Sequence, residues 1–131
     1  MDSKSLEEWG FKEWCPLNRL AISNISETPP YEQKGTCAIR LKNTLKRKVG
    51  YSDILYIGSS KNLVRRFFKE YLGGSGGQTT QRIHKLLFEE NFLEKTEISW
   101  VITENFKKLE TDLKIKYYQE HGGWPPWNKI L

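Results

Sequence analysis

A chain of 131 residues with 37% hydrophobic and 13% aromatic residues carries enough apolar material for one domain with a core, which excludes a wholly disordered chain. Lys plus Arg number 21 against 16 Asp plus Glu, a formal charge of +5 with a pI near 9.2, and that balance favours a polyanionic partner, nucleic acid first. Cys15 and Cys37 have no metal-ligand spacing and suit a reduced, cytoplasmic setting, while no stretch nears the roughly 20 apolar residues of a membrane span.

The N-terminal MDSKSLEEWGF is acidic and lacks the apolar run of a signal peptide. Ser5, with Glu8 three residues on, has the capping-box spacing and predicts a short helix that Pro16 ends. NISETPPYEQKG reads as a loop, because the Pro29–Pro30 pair enforces extended backbone. GTCAIRLKN alternates Cys37, Ile39 and Leu41 with Ala38, Arg40 and Lys42, the period of a strand. SDILYIG predicts a second strand, and the basic NTLKRKVGY between them closes an antiparallel hairpin. KNLVRRFFKEYL sets Leu63, Phe67 and Tyr71 at helical spacing. GGSGG then ends that helix as a mobile loop; it lacks the GK[ST] ending of a phosphate loop. TTQRIHKLLFEENF restarts helix with a Thr cap at 79 or 80, and its His84 reads as a surface or packing residue. TEISWVIT is a third strand rich in β-formers. ENFKKLETDLKIKYYQEH is a long helix stopped by Gly122 and Gly123, followed by a proline-containing tail. The expected fold is α+β: a small three-stranded, mostly antiparallel sheet flanked by helices, with residues 1–28 as an N-terminal helical extension and 29–131 as the body.

Some residues break their local rules. Phe106, Leu109, Leu113 and Tyr117 form the apolar stripe of the last helix, and Glu110 falls within it. A carboxylate facing a core must be paired, protonated or bound to metal. Pairing with a Lys or Arg is the commoner solution. Arg66 flanks the stripe of its helix and has two uses: an i,i+4 pair with Glu70, or a planar fork for phosphate. Tyr56 precedes Gly58 at the end of a strand; a core tyrosine with a bonded hydroxyl is the usual reading, while the glycine permits close approach of a ligand or backbone. Ser59 and Ser60 can cap the following helix, the commoner use, or donate to phosphate, and Asn128 sits in a turn after two prolines.

Together these residues resemble the GIY-YIG nuclease family. LYIGSSKNLVRRFFKEY is similar to that family's second strand and first helix, with Arg66 ten positions after Tyr56. KKLETDLKIKYYQEHGGWPPWN is similar to its late helix and the turn after it, with Glu110 and Asn128 in the glutamate and asparagine places. GTC stands where a GIY-like tripeptide is expected, so Cys37 occupies a tyrosine position, and Glu70 stands where some members have histidine. The resemblance spans about residues 29 to 128. It implies a metal-dependent endonuclease cleaving phosphodiester bonds in DNA or RNA. In that assignment Glu110 holds Mg²⁺ or Mn²⁺, Tyr56 takes a proton from the attacking water directly or through a relay, Arg66 binds the phosphoryl oxygens, Asn128 positions Glu110 or the turn and Cys37 lies beside Tyr56. Arg66 and the metal supply the positive charge that lets a tyrosine act as base. The four main residues are expected on one shallow surface, on one side of the sheet.

Arg40, Lys42, Lys46, Arg47, Lys48, Arg65 and Lys69 form the expected nucleic-acid track. Two alternatives differ in class: a catalytically weak relative that binds nucleic acid without cutting, and a protein-interaction scaffold presenting Trp9, Trp14, Trp124 and Trp127.

Overall fold

Strand alternation sorts the central hairpin. In β2 (Gly35–Lys46), Cys37 and Ile39 point to one face of the sheet and Ala38 to the other. β3 (Tyr51–Ser60) pairs with it antiparallel, setting Cys37 opposite Gly58, Ala38 opposite Ile57 and Ile39 opposite Tyr56. β4 (Thr96–Ile102) pairs antiparallel along the other side of β2. These are the three expected strands. A fourth, β1 (Cys15–Pro16), adds to β4 with Cys15 opposite Ile98. The sheet is therefore four-stranded and antiparallel, in the order β1-β4-β2-β3, with β3 at an edge. A two-residue strand is too short to show a period, which is why the sequence pattern yields only three. The structure is a computed structural model that describes residues 1–23 and 32–128; the Pro29–Pro30 loop and the last three residues of the tail lie outside it.

Helices cover both faces. On one face α2 (Leu63–Arg65) runs into a π-helical turn (Arg66–Tyr71), and α3 (Gln78–Phe88) packs beside it. Leu63, Phe67, Tyr71, Ile83 and Leu87 bury against Cys37, Ile39 and Tyr56 there. On the other face α4 (Phe106–His121) lays Leu113 and Tyr117 on Ala38, Ile54 and Ile57. The N-terminal segment feeds both cores: Leu6 and Phe11 join the α4 side, and Leu17 and Leu20 of α1 (Leu17–Ala21) join the α2 side.

Several local expectations change. Ser5 to Trp9 form a 3-10 turn, and the Ser5 hydroxyl donates to the Asp2 carbonyl (2.8 Å) instead of capping a helix. Pro16 precedes α1 with φ −58°, so it opens a helix rather than ending one; its fixed φ suits that place. α3 starts from Gly77 with no side-chain cap, and the Thr80 hydroxyl donates back to the Gly77 carbonyl (3.0 Å). The glycine-rich segment is a bonded turn: the Gly74 and Ser75 amides donate to the Glu70 and Lys69 carbonyls (both 3.0 Å), with Gly74 and Gly76 at φ 84° and 97°. α4 ends as expected, at Gly122 in the left-handed region. Among the described residues no helix is long and apolar enough to cross a membrane.

Candidate active site

Gly58 is the floor of the site. A Cβ built on it would lie 2.5 Å from the Tyr56 hydroxyl, so the phenol lies directly over the glycine backbone. The absence of a side chain at 58 is what lets the Tyr56 ring fold along its own strand. Three groups converge there from the α2 side. The Tyr71 hydroxyl donates to the Tyr56 oxygen at 3.1 Å, with the two rings edge-to-face at 5.8 Å. Cys37 brings its Sγ to 3.7 Å from the same Tyr71 hydroxyl. Arg66 lies in their electrostatic field; its Nη1 is 3.3 Å from Glu70, and its Nε is buried without a hydrogen-bond partner among the described residues.

Glu110 approaches from the other side. α4 packs on the face opposite α2, so the expected placement of all the site residues on one side of the sheet is corrected. They meet around the edge instead. Among the described residues β3 has no strand beyond it, and the Ser59 hydroxyl, one residue past Gly58, donates to Glu110 Oε1. Lys114 Nζ holds Oε2 at 2.6 Å. The two ion pairs that spacing permits, Glu110 with Lys114 and Arg66 with Glu70, both form. Glu110 is partly exposed, at 22% of its side chain, and so remains open to a ligand at the rim.

Asn128 works on the strand itself. Its Oδ1 accepts the Ile57 amide at 2.8 Å and its Nδ2 donates to the Ile57 carbonyl at 2.7 Å. The side chain thus pairs with the free edge of β3 as a neighbouring strand would, between Tyr56 and Gly58. No hydrogen bond joins it to Glu110, so its support is of the strand. The Trp127 amide donates to the Leu55 carbonyl at 2.8 Å and extends the same contact.

Burial dominates the titration of the phenols and thiol. It pushes the Cys37 thiol up to about 12 against the pull of Tyr71 and Arg66. It raises Tyr56 as well, with Cys37 adding to the rise and Tyr71 and Arg66 opposing it. Tyr71, fully buried, is raised well above the ordinary phenol range for the same first reason. The expected lowering of Tyr56 by Arg66 is therefore outweighed, and all three groups are protonated near neutrality. For Arg66, burial works against the charge; the Glu70 carboxylate opposes it, and Tyr71, Tyr56 and Cys37 hold the pKa up once they ionise at high pH.

The basic track divides. Arg40 is committed: it donates to Glu97 (2.9 Å) and Ser3 (3.0 Å) and lies 4.4 Å over the Trp14 ring, which removes it from the expected set. Arg47 donates to the Trp124 carbonyl at 3.1 Å. Lys42, Lys46, Lys48, Arg65 and Lys69 are exposed. Of the tryptophans offered as a protein interface, Trp127 is buried and Trp14 lies under Arg40. His84 packs as expected, its Nδ1 3.0 Å from the Tyr71 carbonyl oxygen and its ring against Phe88.

Sequence reasoning missed Tyr71, Ser59 and Lys114 as members of the site. Tyr71 was counted as helical stripe, because five residues separate it from Arg66 and an α-helix would turn the two apart. Lys114 was legible, as the i+4 partner of Glu110. No family model matches the chain, and neither the curated proteins nor the solved structures give a significant match.

Proposed function

We propose that the chain is a metal-dependent endonuclease of the GIY-YIG type that hydrolyses phosphodiester bonds in DNA. The observation that carries this reading is the meeting at Gly58 and Ser59: a tyrosine hydroxyl over the glycine, a second phenol bonded to it, and a carboxylate held through Ser59, with Arg66 on the turn that delivers that second phenol. These are the residue types that a phosphoryl transfer needs: a group to orient water, a cation for the equatorial oxygens and an anion to hold a metal.

The donor set fits a hard divalent cation. Glu110 Oε1 and the Ser59 hydroxyl are neighbouring oxygens at a partly exposed rim. Among the described residues no three His, Cys, Asp or Glu side chains form a metal-binding group, so the protein alone offers no cage. Mg²⁺ is commonly held by one or two carboxylates, water and substrate phosphate. Glu110 would hold it once Lys114 swings aside, and Ser59 would fix the carboxylate's orientation. When bound, the cation supplies positive charge to the phosphate and the leaving oxygen.

The rest falls to the chain. The partly exposed end of the Arg66 guanidinium, whose Nη1 now pairs with Glu70, donates to a non-bridging oxygen as negative charge grows there. Tyr56 accepts a hydrogen bond from the attacking water and aligns it. As a neutral phenol Tyr56 orients the water without taking its proton, which passes to bulk solvent. Asn128 keeps β3 in register so that Tyr56 and Gly58 stay in place. Lys42, Lys46, Lys48, Arg65 and Lys69 supply phosphate contacts without sequence information.

Two observations favour a second reading, a nucleic-acid binder that does not cut: α4 brings Glu110 from the face opposite Tyr56, and Glu110 is already neutralised by Lys114 at 2.6 Å. Cleavage of supercoiled plasmid with Mg²⁺ or Mn²⁺ separates the two. Nicking that disappears in Glu110→Gln supports the nuclease; salt-dependent binding without nicking supports the binder.

A further inference from the structure

We propose that Tyr71 is a positioning residue of this site: its hydroxyl, donated to the Tyr56 oxygen, sets the orientation in which Tyr56 meets the attacking water. The proposal rests on the nuclease reading above and deepens it.

Three observations carry it. The first is the bond itself. Tyr71 is wholly buried, and its hydroxyl donates to Tyr56 at 3.1 Å. A buried phenol must find a partner, and this one finds the tyrosine that lies over Gly58. The second is the backbone that delivers it. In an α-helix residues five apart lie about 140° apart around the axis, so Arg66 and Tyr71 would diverge. The segment is a π turn, in which the Leu72 amide donates to the Phe67 carbonyl five residues back at 2.9 Å. That wider turn brings residues 66 and 71 onto one face, and both reach the surroundings of Tyr56. Such turns are rare and recur at functional sites. The third is the packing at position 37. Cys37 is small and fully buried, with its Sγ 3.7 Å from the Tyr71 hydroxyl, so the end of the Tyr71 side chain packs directly against the strand there.

Tyr71 is fully covered and does not touch substrate; it acts through Tyr56. Its ring also packs the core, stacked on Phe67 at 6.1 Å. The hydroxyl and the ring are separable. Tyr71→Phe keeps the ring and removes the donor.

The test is steady-state nicking of supercoiled plasmid with Mg²⁺, with thermal melts of each variant. Tyr71→Phe is expected to lower kcat on the order of 10–100-fold, the scale for a lost supporting hydrogen bond, with KM and melting temperature near wild type. A wild-type kcat in folded Tyr71→Phe, or a loss that only tracks its folded fraction, overturns the role. Should Tyr71→Phe melt early, the exchanged pair Cys37→Tyr with Tyr71→Ala decides, because it returns a phenol to the same space from the strand. Recovery of kcat over Tyr71→Ala alone supports the proposal, and no recovery overturns it. A wild type that cuts neither DNA nor RNA with Mg²⁺ or Mn²⁺ overturns the nuclease reading and this role with it. A cutting wild type with an unaffected Tyr71→Phe overturns the role alone.

Discussion

At the residue scale the site turns on what is absent from position 58. Gly58→Ala would place a methyl 2.5 Å from the Tyr56 hydroxyl and 2.6 Å from its ring. The phenol must then swing off the strand, since the backbone at 58 cannot retreat from β2. Cleavage should fall to background, while stability drops by about 1–3 kcal/mol, the scale of overpacking. Wild-type nicking by folded Gly58→Ala would show that the Tyr56 position is irrelevant. Arg66→Ala tests the other side. One transition-state donor is worth roughly 10²–10³-fold in rate. Glu70 keeps Arg65 as a second partner at 3.8 Å when Arg66 is removed, so the melting temperature should move little. A variant that melts early yet cuts normally when folded makes Arg66 structural. Both residues were legible in the sequence, Gly58 as a strand-ending glycine and Arg66 as a cation beside an apolar stripe. Tyr71 was not. Its 66-to-71 spacing has meaning only in a π turn, and no local pattern in RFFKEY distinguishes that turn from the α-helix that its apolar spacing suggests.

At the element scale the edge strand is the weak point. A free edge exposes unpaired amides and carbonyls, and β3 carries the site on that edge. Asn128 closes it over Ile57 with two hydrogen bonds of 2.8 and 2.7 Å. Asn128→Ala leaves both backbone groups unpaired in a buried place, a cost of about 1–3 kcal/mol for each group left unsatisfied. The Ile57 amide should exchange hydrogen with solvent faster in that variant, while the amides of β4 keep their protection. Unchanged exchange at Ile57 would mean that water or the tail takes over the pairing. The strands were legible from alternation, and so was the last helix, from its stripe and its terminal glycine. The fourth strand was not, because Cys15 and Pro16 carry no periodicity. The cap at Ser5 failed for a related reason: the hydroxyl was satisfied locally by Asp2, which competes with the helix for the same bonds.

At the scale of the whole molecule, two cores sandwich the sheet and the site lies where they meet around an open edge. The placement of Glu110 across the sheet from Tyr56 could not be read from spacing, because spacing gives the face of a helix and not the face of the sheet on which that helix packs. Burial of the site has a consequence for alkaline stability. Folded Cys37 keeps its proton to about 12, while an unfolded thiol loses it near 9.0. Between those values the folded state binds more protons, so stability is intact below pH 9.0 and falls as pH rises through the folded value. Tyr56 and Tyr71, raised from 10.0, add to the loss at higher pH. Each such group contributes a slope of up to about 1.4 kcal/mol per pH unit. Denaturant melts should show the decline starting near 9.0 in both proteins, because burial also raises Cys15, but shallower between 9.0 and 10.0 in Cys37→Ser, which has no titrating group at 37. A flat profile across this range would mean that the thiol and phenols are solvated in the folded state.

The most direct measurement of the central claim is time-resolved nicking of supercoiled plasmid by the wild-type chain with and without Mg²⁺, run beside Glu110→Gln. Glutamine keeps the shape and the bond to Ser59 while removing the charge that would hold a cation. The account predicts Mg²⁺-dependent conversion to open-circular plasmid by wild type and none by Glu110→Gln, with both proteins folded. Equal nicking by the two, or nicking by wild type in the presence of chelator, would contradict it.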